Sequence, residues 1–135
     1  MSHTIEDIVL SRAIALLDCE EQWTCGAWAR DARGVRCDPL STAACRWCAV
    51  GALQVSAYRV LPDRTEAAKI ARAIAQKLAP GPGGLIYINE CGDHRLVRAV
   101  MRGSSGAIRA APKLSIFGRT GFAAFARERD KRHLR

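Results

Sequence analysis

The feature that most constrains the fold is an apolar stretch in the middle of the chain, residues 43–57, which reads AACRWCAVGALQVSA. Its one charged residue is Arg46, and apolar side chains would cover most of the circumference of a helix built from it. A helix that is apolar all round is usually buried on most sides. The stretch therefore predicts a central helix, capped by Ser41 or Thr42, around which the other elements pack. Gly51 costs a helix about 1 kcal/mol relative to alanine, which predicts that a neighbouring backbone approaches closely there.

Charge is unevenly distributed along the 135 residues. The formal net charge is +8, yet eight of the 21 lysines and arginines and only two of the 13 acidic residues lie in residues 109–135. A chain of this length suits a single folded unit with a buried core. We therefore predict a helical core domain over residues 1–103 and a basic C-terminal extension over residues 104–135. Such an extension suits nucleic acid, an acidic protein surface or an anionic membrane, and a solubilising end is the alternative.

The sequence carries no signal for export or membrane insertion. Glu6 and Asp7 stand where a signal peptide would have basic residues followed by an apolar run. No apolar run approaches the ~20 residues that a membrane-spanning helix needs. We expect a cytoplasmic protein that does not bind membranes, with its six cysteines as thiols or metal ligands rather than disulfides.

Helical periodicity predicts four further helices around the central one. In chain order they run from Thr4 to about Asp18, over residues 22–34, from Asp63 or Thr65 to the glycine-rich residues 80–84, and from Asp93 to Gly103. Residues 81–84 are predicted to be a linker, and residues 85–88, which are branched and aromatic, to be extended. A last basic helix is predicted from Thr120. The fold class is mainly α, a compact bundle of about five helices around the buried central helix, with one short extended segment and a basic C-terminal helix or tail.

Residues 89–94, which read NECGDH, form the first candidate site. Asn89, Glu90, Cys91, Asp93 and His94 bring an amide, two carboxylates, a thiol and an imidazole into one loop, and loops that join elements often carry function. Cys91 and His94 have the chemistry of a nucleophile and its base. The alternative is a capped turn, in which Asp93 accepts from helix amides and Asn89 bonds to the backbone. This alternative is favoured, because no third orienting group can be named.

The cysteines form the second candidate site. Cys45 and Cys48 are three residues apart, which on a helix would place both sulfurs on one face. With Cys37 and Cys91 they are weak candidates for a four-ligand zinc site. The usual second Cys-x-x-Cys or histidine pair is missing, so we predict no metal and no cofactor. The alternative role for these cysteines is that of small buried hydrophobic residues.

The three tryptophans are the largest side chains available to the core. Trp23, Trp28 and Trp47 are predicted to fill core volume, with their indole N–H groups bonded to buried carbonyls. Exposed tryptophans would instead mark a surface that contacts a partner.

The motifs around the central helix resemble those of a group of small uncharacterised bacterial and phage proteins. The shared features are a Trp-x-x-Gly segment, an Ala-Arg-Asp stretch ending in glycine, a Trp-Cys-x-x-Gly-Ala-Leu segment and an Asn-Asp pair. In this chain they fall on Trp23 and Gly26, residues 29–34, residues 47–53 and residues 89–90, where Glu90 replaces the aspartate. The resemblance covers roughly residues 5–102, and it implies a mostly helical domain in a phage or mobile-element context, without an activity.

Two functions from different classes follow as predictions. The first is a small non-catalytic interaction protein, associated with a phage or mobile element, that binds a host protein or a nucleoprotein complex in an anti-defence or regulatory role. The second is a nucleic-acid-binding protein that uses the basic C-terminal segment. A cysteine- or metal-dependent enzyme is the third alternative, and the oligomeric state stays open. The candidate contacts of the basic segment are Arg119, Arg127, Arg129, Lys131, Arg132 and Arg135.

Overall fold

The computed structural model of the chain describes residues 3–103, which form five helices and a three-stranded sheet. The mainly α fold class predicted from the sequence is confirmed. None of the helices in these residues is long and apolar enough to cross a membrane. The elements are α1 (Ile5–Leu16), a 3-10 turn (Glu20–Gln22), β1 (Ala29–Arg30), β2 (Arg36–Cys37), β3 (Arg46–Trp47), α2 (Ala49–Val60), α3 (Arg64–Leu78), α4 (Gly84–Cys91) and α5 (His94–Met101).

Helix α2 is the buried centre of the fold, as predicted. It packs against α1, α3 and α4, and seven of its residues are buried. Its apolar surface on several sides explains why the other helices surround it rather than pack on one face. The buried residues are Ala49, Gly51, Ala52, Leu53, Val55, Ser56 and Ala57.

The predicted start of this helix is wrong. The chain is extended at β3, and Cys48 is the residue that caps α2, with its Sγ accepting from the backbone N–H of Gly51 at 3.2 Å. Ser41 and Thr42 lie in a turn well before the helix. Trp47 explains the difference, because its backbone pairs with Ala29 and its indole N–H donates to the carbonyl oxygen of Pro39 at 3.1 Å. These long-range contacts outweigh the helical periodicity of the local sequence.

The predicted helix over residues 22–34 is also wrong. After a single 3-10 turn that ends at Gln22, the chain bends and forms β1. β1 is the central strand of a small antiparallel sheet with the order β2-β1-β3. Gly26 and Gly34 have φ values of +76° and +81°, which an α-helix does not allow and which side chains with a Cβ rarely adopt. The two glycines therefore direct the chain into bends on either side of β1.

The predicted extended segment at residues 85–88 is helical and belongs to α4. Gly83, with φ of +80°, stands at the N-terminal end of this helix, so the glycine-rich segment leads into a helix as well as following one. Leu85, Ile88 and Asn89 are buried at the spacing of one helix face. Packing of this face decides the structure, although the residue types favour a strand.

The other helix boundaries agree closely with the prediction. Thr4 forms a capping box with Asp7 at the start of α1. Asp63 accepts from the N–H groups of Thr65 and Glu66 at the start of α3. Asp93 accepts from the N–H of Leu96 at the start of α5. Short polar caps are thus the part of the sequence that specifies helix starts most directly.

The close backbone approach predicted at Gly51 is present. A Cβ added there would overlap the carbonyl oxygen of Trp28, which accepts a hydrogen bond from the N–H of Cys48 at 3.1 Å. The sheet therefore lies directly on the first turn of α2, and this contact needs a residue without a side chain.

Replacing Gly51 by alanine is expected to destabilise the protein by about 3 kcal/mol, because the added methyl group must push a hydrogen-bonded backbone carbonyl away. Urea or thermal unfolding followed by circular dichroism measures the effect. The matched control is Gly81→Ala, since a Cβ at Gly81 meets no atom within 4 Å. Equal stability of the two variants would contradict the proposed contact.

Candidate functional site

The side chain of Asn89 on α4 joins three separate parts of the chain. Its Oδ1 accepts from the indole N–H of Trp23 at 2.8 Å and from the backbone N–H of Ala49 at 2.9 Å. Its Nδ2 donates to the carbonyl oxygen of Thr24 at 3.1 Å. Only 1% of Asn89 is exposed, so these bonds replace all contact with water. The amide holds the loop after α1 and the N-terminus of α2 against α4.

Glu90, the next residue, holds the same loop from its other side. Both of its carboxylate oxygens accept from the backbone N–H of Gly26, at 2.7 and 3.0 Å. Burial raises the pKa of the Glu90 carboxyl above its ordinary value, while the Gly26 N–H and the charges of Arg30 and Arg36 partly offset this effect. The carboxylate is therefore used to fix the bend at Gly26.

Arg30 of β1 completes this network. Its guanidinium donates to the hydroxyl of Thr24 at 2.9 Å, to the carbonyl oxygen of Gly34 at 2.9 Å and to that of Cys25 at 3.1 Å. The bonds tie the loop before β1 to the turn after it. We name Trp23, Thr24, Gly26, Arg30, Asn89 and Glu90 the Asn89 cluster.

The remaining groups of the predicted loop site also have partners within the fold. Asp93 accepts from the backbone N–H of Leu96 at 2.8 Å. His94 is buried, its Nε2 lies 2.6 Å from the carbonyl oxygen of Leu17, and its ring centroid lies 5.8 Å from that of Trp23. A capped turn was the alternative predicted from the sequence, in which Asn89 bonds to the backbone and Asp93 accepts from helix amides. The observed hydrogen bonds of both side chains agree with this alternative. Cys91 lies in the last turn of α4, where burial raises the pKa of its thiol.

Cys45 and Cys48 were predicted to lie on one face of a helix, and they do not. Cys45 precedes β3 and Cys48 caps α2, so the two are not neighbours on one helix face. Burial raises the pKa of the Cys48 thiol to about 12, which keeps it protonated at neutral pH. Cys37 and Cys45 are half-buried, on β2 and just before β3. Within residues 3–103, no group of three or more His, Cys, Asp and Glu side chains is placed to hold a metal ion.

The predicted indole hydrogen bonds are present for Trp23 and Trp47. The indole N–H groups of Trp47 and Trp23 bond to the carbonyl oxygens of Pro39 and of the Asn89 amide. Trp47 is buried, whereas Trp23 and Trp28 are half-buried. Trp28 lines a surface groove between α2 and α3.

The sheet carries a feature that sequence analysis missed, a row of three arginines. Arg30 on the central strand lies directly opposite Arg36 on one side and Arg46 on the other. Directly opposite residues share a face of the sheet, and the adjacent row contains the buried Ala29 and Trp47. Arg30, Arg36 and Arg46, which we name the arginine row, therefore lie on the face away from the core. Strands of two residues are too short to give a periodic signal, so the sequence could not reveal the row.

Like charges that face each other across strands destabilise a sheet. The charge of Glu90 offsets part of this repulsion, since it interacts with both Arg30 and Arg36. Arg46 at the edge of the sheet is exposed, and its side chain has no ion pair with any residue in the described part of the chain. The charge at this edge is therefore available to a partner.

Residues 1–102 match the model of a family of unknown function, DUF6197. The chain belongs to this family. The DUF6197 region includes the whole Asn89 cluster and the arginine row. The resemblance to an uncharacterised family is thus confirmed. The segments around Trp23, Arg30, Gly51 and Asn89, on which the sequence analysis based this resemblance, lie close together in the fold. No curated protein and no solved structure matches the chain.

The predicted contacts of the basic extension lie outside the described residues. Arg119 and the five basic residues after Phe125 therefore stay predictions, as does the division into a core domain and an extension.

Replacing Asn89 by alanine is expected to destabilise the DUF6197 domain by about 3 kcal/mol or more, because the Trp23 indole N–H and buried backbone groups of Thr24 and Ala49 lose their hydrogen-bond partner. Chemical unfolding measures the loss. The matched control is Gln76→Ala, which removes an exposed amide from α3 and should change stability by less than about 0.5 kcal/mol. A similar small change in both variants would show that the Asn89 bonds do not hold the fold.

Glu90 is expected to make stability fall as the pH rises above the ordinary carboxyl value of 4.5. The folded state has the raised pKa, so between the unfolded and folded pKa values it binds more protons than the unfolded chain, and deprotonation weakens it. Glu90→Gln keeps a side-chain oxygen that can accept from the Gly26 N–H, and it removes the carboxyl group that titrates. Unfolding free energies over a pH series should therefore decline less steeply in the variant than in the wild type, and parallel curves would contradict the assignment.

Proposed function

We propose that this protein is a small binding protein without catalysis, which contacts an acidic surface of a host protein or nucleoprotein complex. The observation that supports the absence of catalysis is the bonding of residues 89–94, the segment richest in chemically reactive side chains. Asn89, Glu90, Asp93 and His94 each hold a backbone or side-chain group of the fold. A side chain whose polar atoms are already hydrogen-bonded within the fold is a poor candidate for binding a substrate or for transferring a proton to it.

The arginine row supports the choice of an acidic partner. Arginine presents a planar fork of donors that pairs with carboxylates and phosphates through two hydrogen bonds, and it is enriched at protein interfaces. Arg46 is the exposed end of the row, and the neighbouring Arg30 and Arg36 share its face of the sheet. The basic residues of 109–135 add six net positive charges to the protein, which also favours an acidic partner.

The biological setting belongs to the same proposal. Association with a phage or mobile element, an anti-defence or regulatory role and a cytoplasmic location are all supported by the resemblance to bacterial and phage proteins and by the sequence. Nucleic acid bound through the basic C-terminal segment is the second candidate function, favoured by the six excess positive charges of residues 109–135.

The test compares Arg46→Glu with Arg59→Glu, an exposed arginine on α2 that changes the net charge equally. Each full-length protein is crosslinked in host cells, and the co-purified partners are quantified by mass spectrometry. A partner held by the arginine row should be recovered about tenfold less with Arg46→Glu and unchanged with Arg59→Glu, since one close interfacial charge pair is worth about 1.5 kcal/mol or more.

A salt titration with random duplex DNA tests the second function. Binding that weakens steeply with salt and is lost when Arg127, Arg129, Lys131 and Arg132 are replaced by glutamine would favour nucleic acid, since each phosphate contact adds about 0.9 to the slope. Identical partners for the wild type, Arg46→Glu and this variant would overturn both functions.

A further inference from the structure

A groove runs along α2 and α3, and no residue of the Asn89 cluster lines it. It consists of two adjoining cavities of about 270 Å³ each, and both are lined by Trp28, Gln54, Ala68 and Arg72. One cavity extends toward the start of α4, and the other extends toward Tyr58 and Arg64. We name this surface the α2–α3 groove.

The part of α3 that lines the groove carries small side chains. Ala68, Ala71 and Ala75 line it along one face of the helix, so no large apolar side chain of α3 fills the space beside α2. Amides stand on both sides, with Gln54 on α2 and Gln76 on α3. The lining therefore combines small apolar side chains with hydrogen-bonding groups, and Gln54 and Arg72 lie in the part that the two cavities share.

Two arginines give the groove its charge. Arg64 and Arg72 are eight residues apart on α3, which places them about 12 Å apart along the helix axis. The Arg64 guanidinium lies 5.6 Å from the centre of the Tyr58 ring, and Arg72 is exposed without an ion pair inside residues 3–103. By contrast, Lys69 on the same helix pairs with Glu66 at 3.4 Å.

The one carboxylate in the lining is that of Asp38, at the Arg64 end. Its Oδ1 accepts from the backbone N–H of Leu40 at 2.7 Å, so it is engaged in its own loop. With two guanidinium groups against one carboxylate, the groove suits an anionic ligand.

We propose that the α2–α3 groove binds a short single-stranded segment of nucleic acid, with its phosphates on Arg64 and Arg72 and its bases against Trp28 and Tyr58. Single-stranded nucleic acid is recognised by positive grooves that carry aromatic side chains, on which bases of any sequence stack. The side-chain amides of Gln54 and Gln76 each offer a donor and an acceptor, as base edges do. The carboxylates of an acidic peptide only accept, so they would leave the amide oxygens of the groove without donors. This surface is distinct from the arginine row, so the inference goes beyond the proposed function.

The test is fluorescence anisotropy with a labelled single-stranded oligonucleotide of mixed sequence, in DNA and RNA forms, added to the full-length protein. Moderately high salt suppresses non-specific binding by the basic C-terminal segment. Arg72→Glu reverses the central charge of the groove. Ala68→Phe fills the part shared by the two cavities without changing charge. The matched control is Arg12→Glu, which reverses an exposed arginine on α1 that does not line the groove.

Binding by the wild type that weakens about tenfold in Arg72→Glu and in Ala68→Phe, but not in Arg12→Glu, is the expected result, since one stacked base is worth about 1–3 kcal/mol. Arg72→Glu should also lower the salt slope by about 0.7 for each lost phosphate contact. Circular dichroism shows whether Ala68→Phe folds, and if it does not, Arg72→Glu and its control decide alone. Equal binding by every variant would overturn the proposal, and so would a polyglutamate peptide that displaces the oligonucleotide at lower concentration.

Discussion

The fold depends most on one buried amide. Asn89 accepts from an indole N–H and from the backbone N–H of Ala49 and donates to the carbonyl oxygen of Thr24, and the last two groups would otherwise be buried without this partner. The segment between α1 and α2 has little regular structure of its own, with one 3-10 turn and three strands of two residues. Since strands this short are not stable alone, the segment takes its shape from what it bonds to on α4. Glu90 and Arg30 add to the same attachment.

The sheet and the central helix meet at a second point, where the backbone around Trp28 lies on the first turn of α2. The carbonyl oxygen of Trp28 accepts from Cys48 and occupies the space that a side chain at position 51 would need. Cys48 is therefore both a cap of α2 and part of the seam between sheet and helix. Its burial and raised thiol pKa agree with a structural role in this seam.

The sequence predicted those parts of the fold that local chemistry specifies. Thr4 and Asp93 marked helix starts correctly, and so did Asp63, one of two starts predicted for α3, because a capping side chain bonds to amides within its own first turn. The buried character of α2 and the close contact at Gly51 also followed from residue type alone. The expected number of helices agreed partly by compensation, since residues 22–34 are not helical and residues 85–88 are.

What the sequence could not show was decided by contacts between distant residues. Nothing near Trp23 or Asn89 in the chain indicates that the two side chains bond, and the arginine row depends on the register of three short strands. Residues 89–94, which were predicted to form one loop, instead span the end of α4 and the start of α5, and several of their polar groups are bonded inward.

The bonds of Asn89 also set an order of events during synthesis. They join residues that are 40, 65 and 66 positions apart, and Glu90 reaches Gly26 over 64 positions. The bonds that hold the loop to α4 therefore cannot form, as the nascent chain leaves the ribosome, until the α4 sequence has emerged. Until then α1, α2 and α3 can form their own helical hydrogen bonds, which are local, while Trp23 lacks its Asn89 partner. Most of the apolar residues of the core are thus synthesised before the polar network can be completed.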